Sequence, residues 1–199
     1  EEAAAPPPRP VQTAVAPAPP PPPAVTPIKQ LMSEYRIDPR IVLLEDQAPD
    51  NNDDRIAVLE FFDAFARGDA GDVGGMLPLI DRVELEALES EGEWSETVAG
   101  IQEISLQTGQ GPFGDKLALA IFEVADGFQP QLWSYTSGSG GAIFEAQPTP
   151  PGIIDQLSGD DWIARWIEIN EEEMRLANKP DETFEFEPVA IDNTASGGG

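Results

Sequence analysis

The side chains of this protein that could do chemistry are few and scattered. Glu123 and Glu145 lie in short runs with a period-two apolar pattern, and Asp126 stands at the end of one such run. A strand carboxylate becomes a general base when burial raises its pKa and a partner positions it. Neither glutamate belongs to a motif that marks such a pair. Trp133 and Tyr135 stand at alternate positions of one run and so project from the same strand face. On an open face they would line a pocket and stack on a flat apolar ligand. Under a helix they would be core, packed against Phe61, Phe62 or Phe65. No catalytic residue and no metal ligand is assigned from this pattern. Trp133, Tyr135, Glu145, Glu123 and Phe62 are the candidate pocket residues.

Composition removes whole classes of chemistry. The 199 residues contain no Cys and no His. Disulfides, thiolate metal sites and any Ser-His-Asp or Cys-His mechanism within the chain are excluded. The net charge of −26 makes nucleic acid and anionic membrane surfaces poor partners, because both need clustered Lys and Arg. No apolar run is long enough to span a bilayer, so direct membrane insertion is not expected. An acidic surface keeps a protein soluble and can dock a basic partner. The run Asp50-Asn-Asn-Asp-Asp54 has the look of a calcium loop, but it lacks the Gly at the sixth position and the Glu at the twelfth. Glu84, Glu86, Glu89, Glu91 and Glu93 read as the solvated face of a helix. Gly109 to Gly114 precedes a strand and contains Pro112, so it is a loop rather than a phosphate cradle. No cofactor is expected.

The elements that would position these residues start from the stretch Val58 to Leu77. Apolar residues fill positions 56–59, 61, 62 and 64–66. Glu60, Asp63 and Arg67 recur at i, i+3 and i+7 and make one narrow polar stripe. A helix apolar on all other sides must lie across a sheet with further helices beside it. It opens at an N-cap, Asn52 or Asp53, and stops at Gly68. Residues 78–100 read as two helical pieces broken at Gly92, with Ser95 capping the second. From residue 102 the period becomes two. Leu117 to Val124 reads as a strand buried on both faces, followed by strands at Gln131–Thr136 and Ala142–Gln147. Short turns between them argue for antiparallel hairpins. Ser158 as N-cap, with Asp161 at the third position, opens an amphipathic helix with Trp162, Ile163, Trp166 and Ile167 on its apolar stripe.

Four regions follow. Residues 1–27 are Pro- and Ala-rich and read as a disordered or polyproline spacer. Residues 28–52 hold a short apolar docking segment, with Ile41 to Leu44 as a strand or docking run, and an acidic loop. Residues 53–178 form the α+β domain. Residues 179–199 are an acidic, Gly-rich tail.

Phe61, Phe62, Ala64, Gly68, Asp69, Met76 and Leu77 carry a likeness to a known family. The stretch resembles the first two helices of the nuclear-transport-factor-2-like superfamily, which includes ketosteroid-isomerase-like and polyketide-cyclase-like proteins. The likeness covers residues 53–148. It implies a cone: a strongly curved antiparallel sheet wrapped on N-terminal helices, often with a pocket at its mouth. The C-terminal amphipathic helix is extra to that pattern. Enzymes of the family place a carboxylate with a Tyr or a second acid inside the cone. No residue here matches such a position, and none is carried over. The family also contains small-ligand binders and protein-binding modules, so fold alone does not choose a function. The expectation is a non-catalytic binding or assembly module on a Pro-rich spacer. The alternative is a small-molecule isomerase or cyclase-type enzyme using carboxylate acid–base catalysis without His or metal. The partner expected is a protein, including a second copy in a homodimer, or a small apolar ligand. The non-Met start and the spacer point to the cell envelope or the outside of the cell.

Overall fold

The structure, a computed structural model, describes residues 24–178. The Pro-rich run up to residue 23 and the tail from residue 179 lie outside the described residues. The elements in chain order are α1 (Ile28–Glu34), β1 (Ile41–Leu43), α2 (Asn52–Arg67), α3 (Ala70–Gly75), α4 (Leu79–Glu91) and α5 (Glu93–Ala99). Then come β2 (Ile101–Gln110), β3 (Lys116–Val124), β4 (Gly127–Gly138), β5 (Gly141–Ala146), α6 (Ile153–Gln156) and α7 (Trp162–Ala177). The five strands form one open sheet in the order β1-β2-β3-β4-β5.

The sheet is mixed, which corrects the all-antiparallel expectation. Strands β2 to β5 are joined by short turns and pair antiparallel. Strand β1 pairs parallel to β2, with Ile41 opposite Ile104. Parallel neighbours need a long crossover, and here α2 to α5 supply it. The sequence of β1 alone carries no sign of this, because a three-residue apolar run does not encode its partner's direction.

Strand β3 is buried on both faces, and its composition shows why. Ala118, Ala120 and Phe122 face one layer; Leu117, Leu119 and Ile121 face the other. The small alanines leave room for the aromatic rings of α2. The leucines and Ile121 meet α7, whose Ile163, Trp166 and Ile169 are buried. The helix α2 is covered on most sides, with Phe61 and Phe62 fully buried; past its first turn, where Asp53 is exposed, the Glu60, Asp63 and Arg67 stripe reaches solvent. Residues before α2 join the same core: Ile28, Leu31, Ile37, Ile41 and Leu43 are buried with it. The last two turns of α7, from Glu171 on, are exposed and extend past the packed stripe.

Local chemistry sets the boundaries. Asn51 caps α2 by accepting from the Asp54 N–H at 2.9 Å, one residue earlier than the sequence suggests. Gly68 ends α2 with φ 72°, a left-handed position that suits Gly. Gly92 breaks α4 from α5 in the same way, and α5 starts at Glu93 rather than being capped by Ser95. Asp161, not Ser158, caps α7 through the Ala164 N–H at 2.9 Å.

Candidate functional site

The face of the sheet covered by α2 is filled by rings. Phe61 stacks on Phe144 at 4.0 Å between centroids and meets Trp133 edge-on at 5.1 Å. Tyr135 stacks on Phe144 at 5.1 Å, and Phe62 meets Phe61 edge-on at 5.0 Å. Trp133, Tyr135 and Phe62 are therefore brought together, but as members of one aromatic core. Glu123 and Glu145 are not with them. Glu123 shares the opposite face of β3 with Leu119 and Ile121. Glu145 alternates with the buried Phe144 and is exposed. The sheet separates both glutamates from the two strand aromatics. Glu123 stands opposite Glu103 across the strands, and Glu103 is occupied by the Ser105 hydroxyl at 2.9 Å.

A cleft of about 390 Å³ opens where the C-terminal end of α2 meets β3 and β4. Its walls include Phe65, Ile101, Phe122 and Trp133, with Gln129 and Thr97 supplying polar atoms. That volume is within the range of small-ligand sites, about 300–1,000 Å³. Trp133 is 8% exposed, and its indole N–H is buried without an acceptor among the described residues. Trp166, on the buried face of α7, shares that condition but is not among the residues that line this cleft. Trp94, by contrast, donates its N–H to the Gly68 carbonyl at 2.9 Å. Buried polar groups are normally paired, so an orphan donor beside a cleft marks a place where a ligand could supply the acceptor.

The buried charges are tied to the architecture. Asp54 and Arg55, adjacent in α2, are 3% and 5% exposed. Asp54 accepts from Lys116 at 2.7 Å, from the Ser137 hydroxyl and from Asn51 at 2.6 Å. Burial pushes its carboxyl up, but these three donors outweigh it and hold the pKa below the ordinary aspartate value. Tyr135 is shifted up by burial first and then by the negative charge of Asp54. Arg55 donates to the carbonyls of Pro49 at 2.6 Å and Thr26 at 2.8 Å, and pairs with Glu45. Glu45 also accepts the Ile28 N–H at 2.8 Å, so this cluster pins the incoming chain to α2. Arg40 grips Asp38 and donates to the carbonyls of Ile101 and Ala66.

These clusters were not marked in the sequence. Arg55 follows an acidic run that reads as loop and cap, and its partners lie up to 29 residues away. The unbroken apolar flank of α2 was the available signal, since a charged pair inside such a helix must find partners. Among the described residues, no three or more His, Cys, Asp or Glu are grouped to hold a metal ion. No helix there is long and apolar enough to cross a membrane. Comparisons with protein-family models, with curated proteins and with solved structures found no match to this chain.

Proposed function

We propose that this domain is a non-catalytic binding module that takes a small, flat, apolar ligand carrying one hydrogen-bond acceptor. The observation that carries this reading is that Trp133, whose buried N–H has no acceptor among the described residues, is one of the side chains lining the aromatic cleft. Phe65 and Phe122 would contact the faces or edges of such a ligand, and the indole N–H would find its acceptor on it. An unsatisfied buried donor costs on the order of 1–3 kcal/mol, which an acceptor on the ligand would partly recover. Binding is favoured over turnover because the strand carboxylates lie across the sheet from Trp133 and Tyr135. The buried Asp54 already holds three donors. The acid–base pair of an isomerase or cyclase is thus not assembled at this cleft.

We also propose that the domain belongs with the nuclear-transport-factor-2-like proteins and that its sheet curves as a cone around α2. The order of helices before strands and the burial of Phe61 and Phe62 against the sheet support this. The parallel β1 and the helix α7 on the far face depart from that pattern.

The test compares two probes, a naphthyl ketone and naphthalene itself, by titration calorimetry on the 199-residue chain. The ketone is expected to bind several-fold tighter, about 1 kcal/mol. The preference is expected to vanish in Trp133→Phe, which keeps a ring but loses the donor. Equal affinity of the two probes for the unaltered chain would contradict the assignment.

A further inference from the structure

A second surface, sharing no residue with the Trp133 cleft, lies on α4. This helix is attached to the domain along one side. Leu85 is buried, and Arg82 donates to the Gly74 carbonyl at 2.7 Å. At about 100° per residue, Leu79, Val83, Ala87 and Ile80 fall within one arc roughly opposite that attachment. All four are exposed: Leu79 is 75%, Ile80 71% and Val83 56% accessible. Surface leucines and isoleucines are ordinary when single, but here they make a continuous stripe along a helix.

Acidic residues border that stripe on both sides. Glu86 lies along one edge, and Glu84 and Glu91 along the other, all exposed. An apolar helix face with an acidic rim matches one kind of partner: a helix whose apolar face is flanked by Arg or Lys. A second copy of this chain is a poor match. Each copy carries −26, and self-pairing through α4 would set acidic rims against each other. We infer that the α4 stripe of Leu79, Ile80, Val83 and Ala87 docks a basic amphipathic helix of a partner protein.

The experiment uses the 199-residue chain and a synthetic Leu/Arg peptide with leucines at helical spacing and arginines along both flanks. A scrambled peptide of the same composition controls for attraction to the acidic surface at large. Affinity is read by fluorescence anisotropy, and the site by backbone amide shifts. The patterned peptide is expected to shift amides of α4 and to bind at least about tenfold tighter than the scrambled one. Ile80→Ser with Val83→Ser is expected to remove that advantage. Both side chains are mostly exposed, so the melting temperature should stay unchanged and the loss can be read as binding. Equal binding of the two peptides, or unchanged binding by the double variant, would overturn the inference. So would dimerisation of the chain that the double variant abolishes, which would assign the stripe to a second copy. Release of α4 amides on deleting residues 179–199 would assign it to the chain's own tail.

Discussion

Phe62 illustrates how far a single position can be read. It sits opposite the Glu60, Asp63 and Arg67 stripe, and the structure buries it completely against Phe61 and Phe144. Phe62→Ala is expected to cost about 3–5 kcal/mol in denaturant unfolding, the range for a truncated core ring. Asp63 shows the limit. It lies on the polar stripe and pairs with Arg67 at 2.7 Å, as i, i+4 spacing suggests. It also accepts the Asp38 N–H at 2.6 Å, a tie from a turn that no local pattern reveals. Asp54 gives a pH-dependent expectation. Its pKa is lowered in the fold, so its contribution is present above the ordinary aspartate range and is lost as pH falls through the lowered value. The stability gap between the unaltered chain and Asp54→Asn should therefore be largest near neutral pH and close below about pH 4. A gap that widened on acidification would contradict the Lys116 and Ser137 pairing.

At the scale of elements, periodicity was the reliable signal and pairing direction was not. The apolar wrap of α2, the breaks at Gly68 and Gly92, and the doubly buried β3 were all legible, because each depends on residues close in sequence. The short turns that follow β3 and β4 were legible for the same reason. The parallel edge strand was not, since β1 is paired only after the whole helical crossover has folded. The start of β4 was also missed: Pro130 lies before the run read as a strand at Gln131–Thr136, yet it stands inside β4 opposite Ile121. The candidate pocket was half legible. The pattern brought Trp133, Tyr135 and Phe62 to one layer, but strand alternation puts Glu123 and Glu145 on the other. Helix α7 divides along its length. Trp166 is fully buried against β3, whereas Met174 is 59% exposed. Trp166→Ala is expected to cost about 3–5 kcal/mol and Met174→Ala less than about 0.5 kcal/mol. Equal thermal shifts in the two variants would mean that α7 packs along a different stripe.

The whole molecule is governed by its charge. At −26 on 21.4 kDa, self-repulsion opposes the compact state wherever it is unscreened. The exposed pairs Arg165–Glu168 and Arg175–Glu172 offset little of this. Added sodium chloride is therefore expected to raise the melting temperature, with most of the gain below about 0.15 M, where the Debye length is still long. A melting temperature that falls with salt would show that the ion pairs outweigh the repulsion.

The claim on which the functional account turns is that the Trp133 cleft holds a ligand and leaves it unchanged. Fluorine NMR of the fluorotryptophan-labelled chain tests it most directly, because the four tryptophans of the sequence report separately. Trp162 and Trp166 do not line the cleft, Trp94 touches it only through Phe65, which it meets edge-on at 4.8 Å, and Trp133→Phe assigns the Trp133 signal. On titration with the naphthyl ketone, the Trp133 resonance should shift saturably and by more than the other three, with the ketone recovered intact. A Trp133 resonance that does not respond, or a ketone consumed by the protein, would contradict the account.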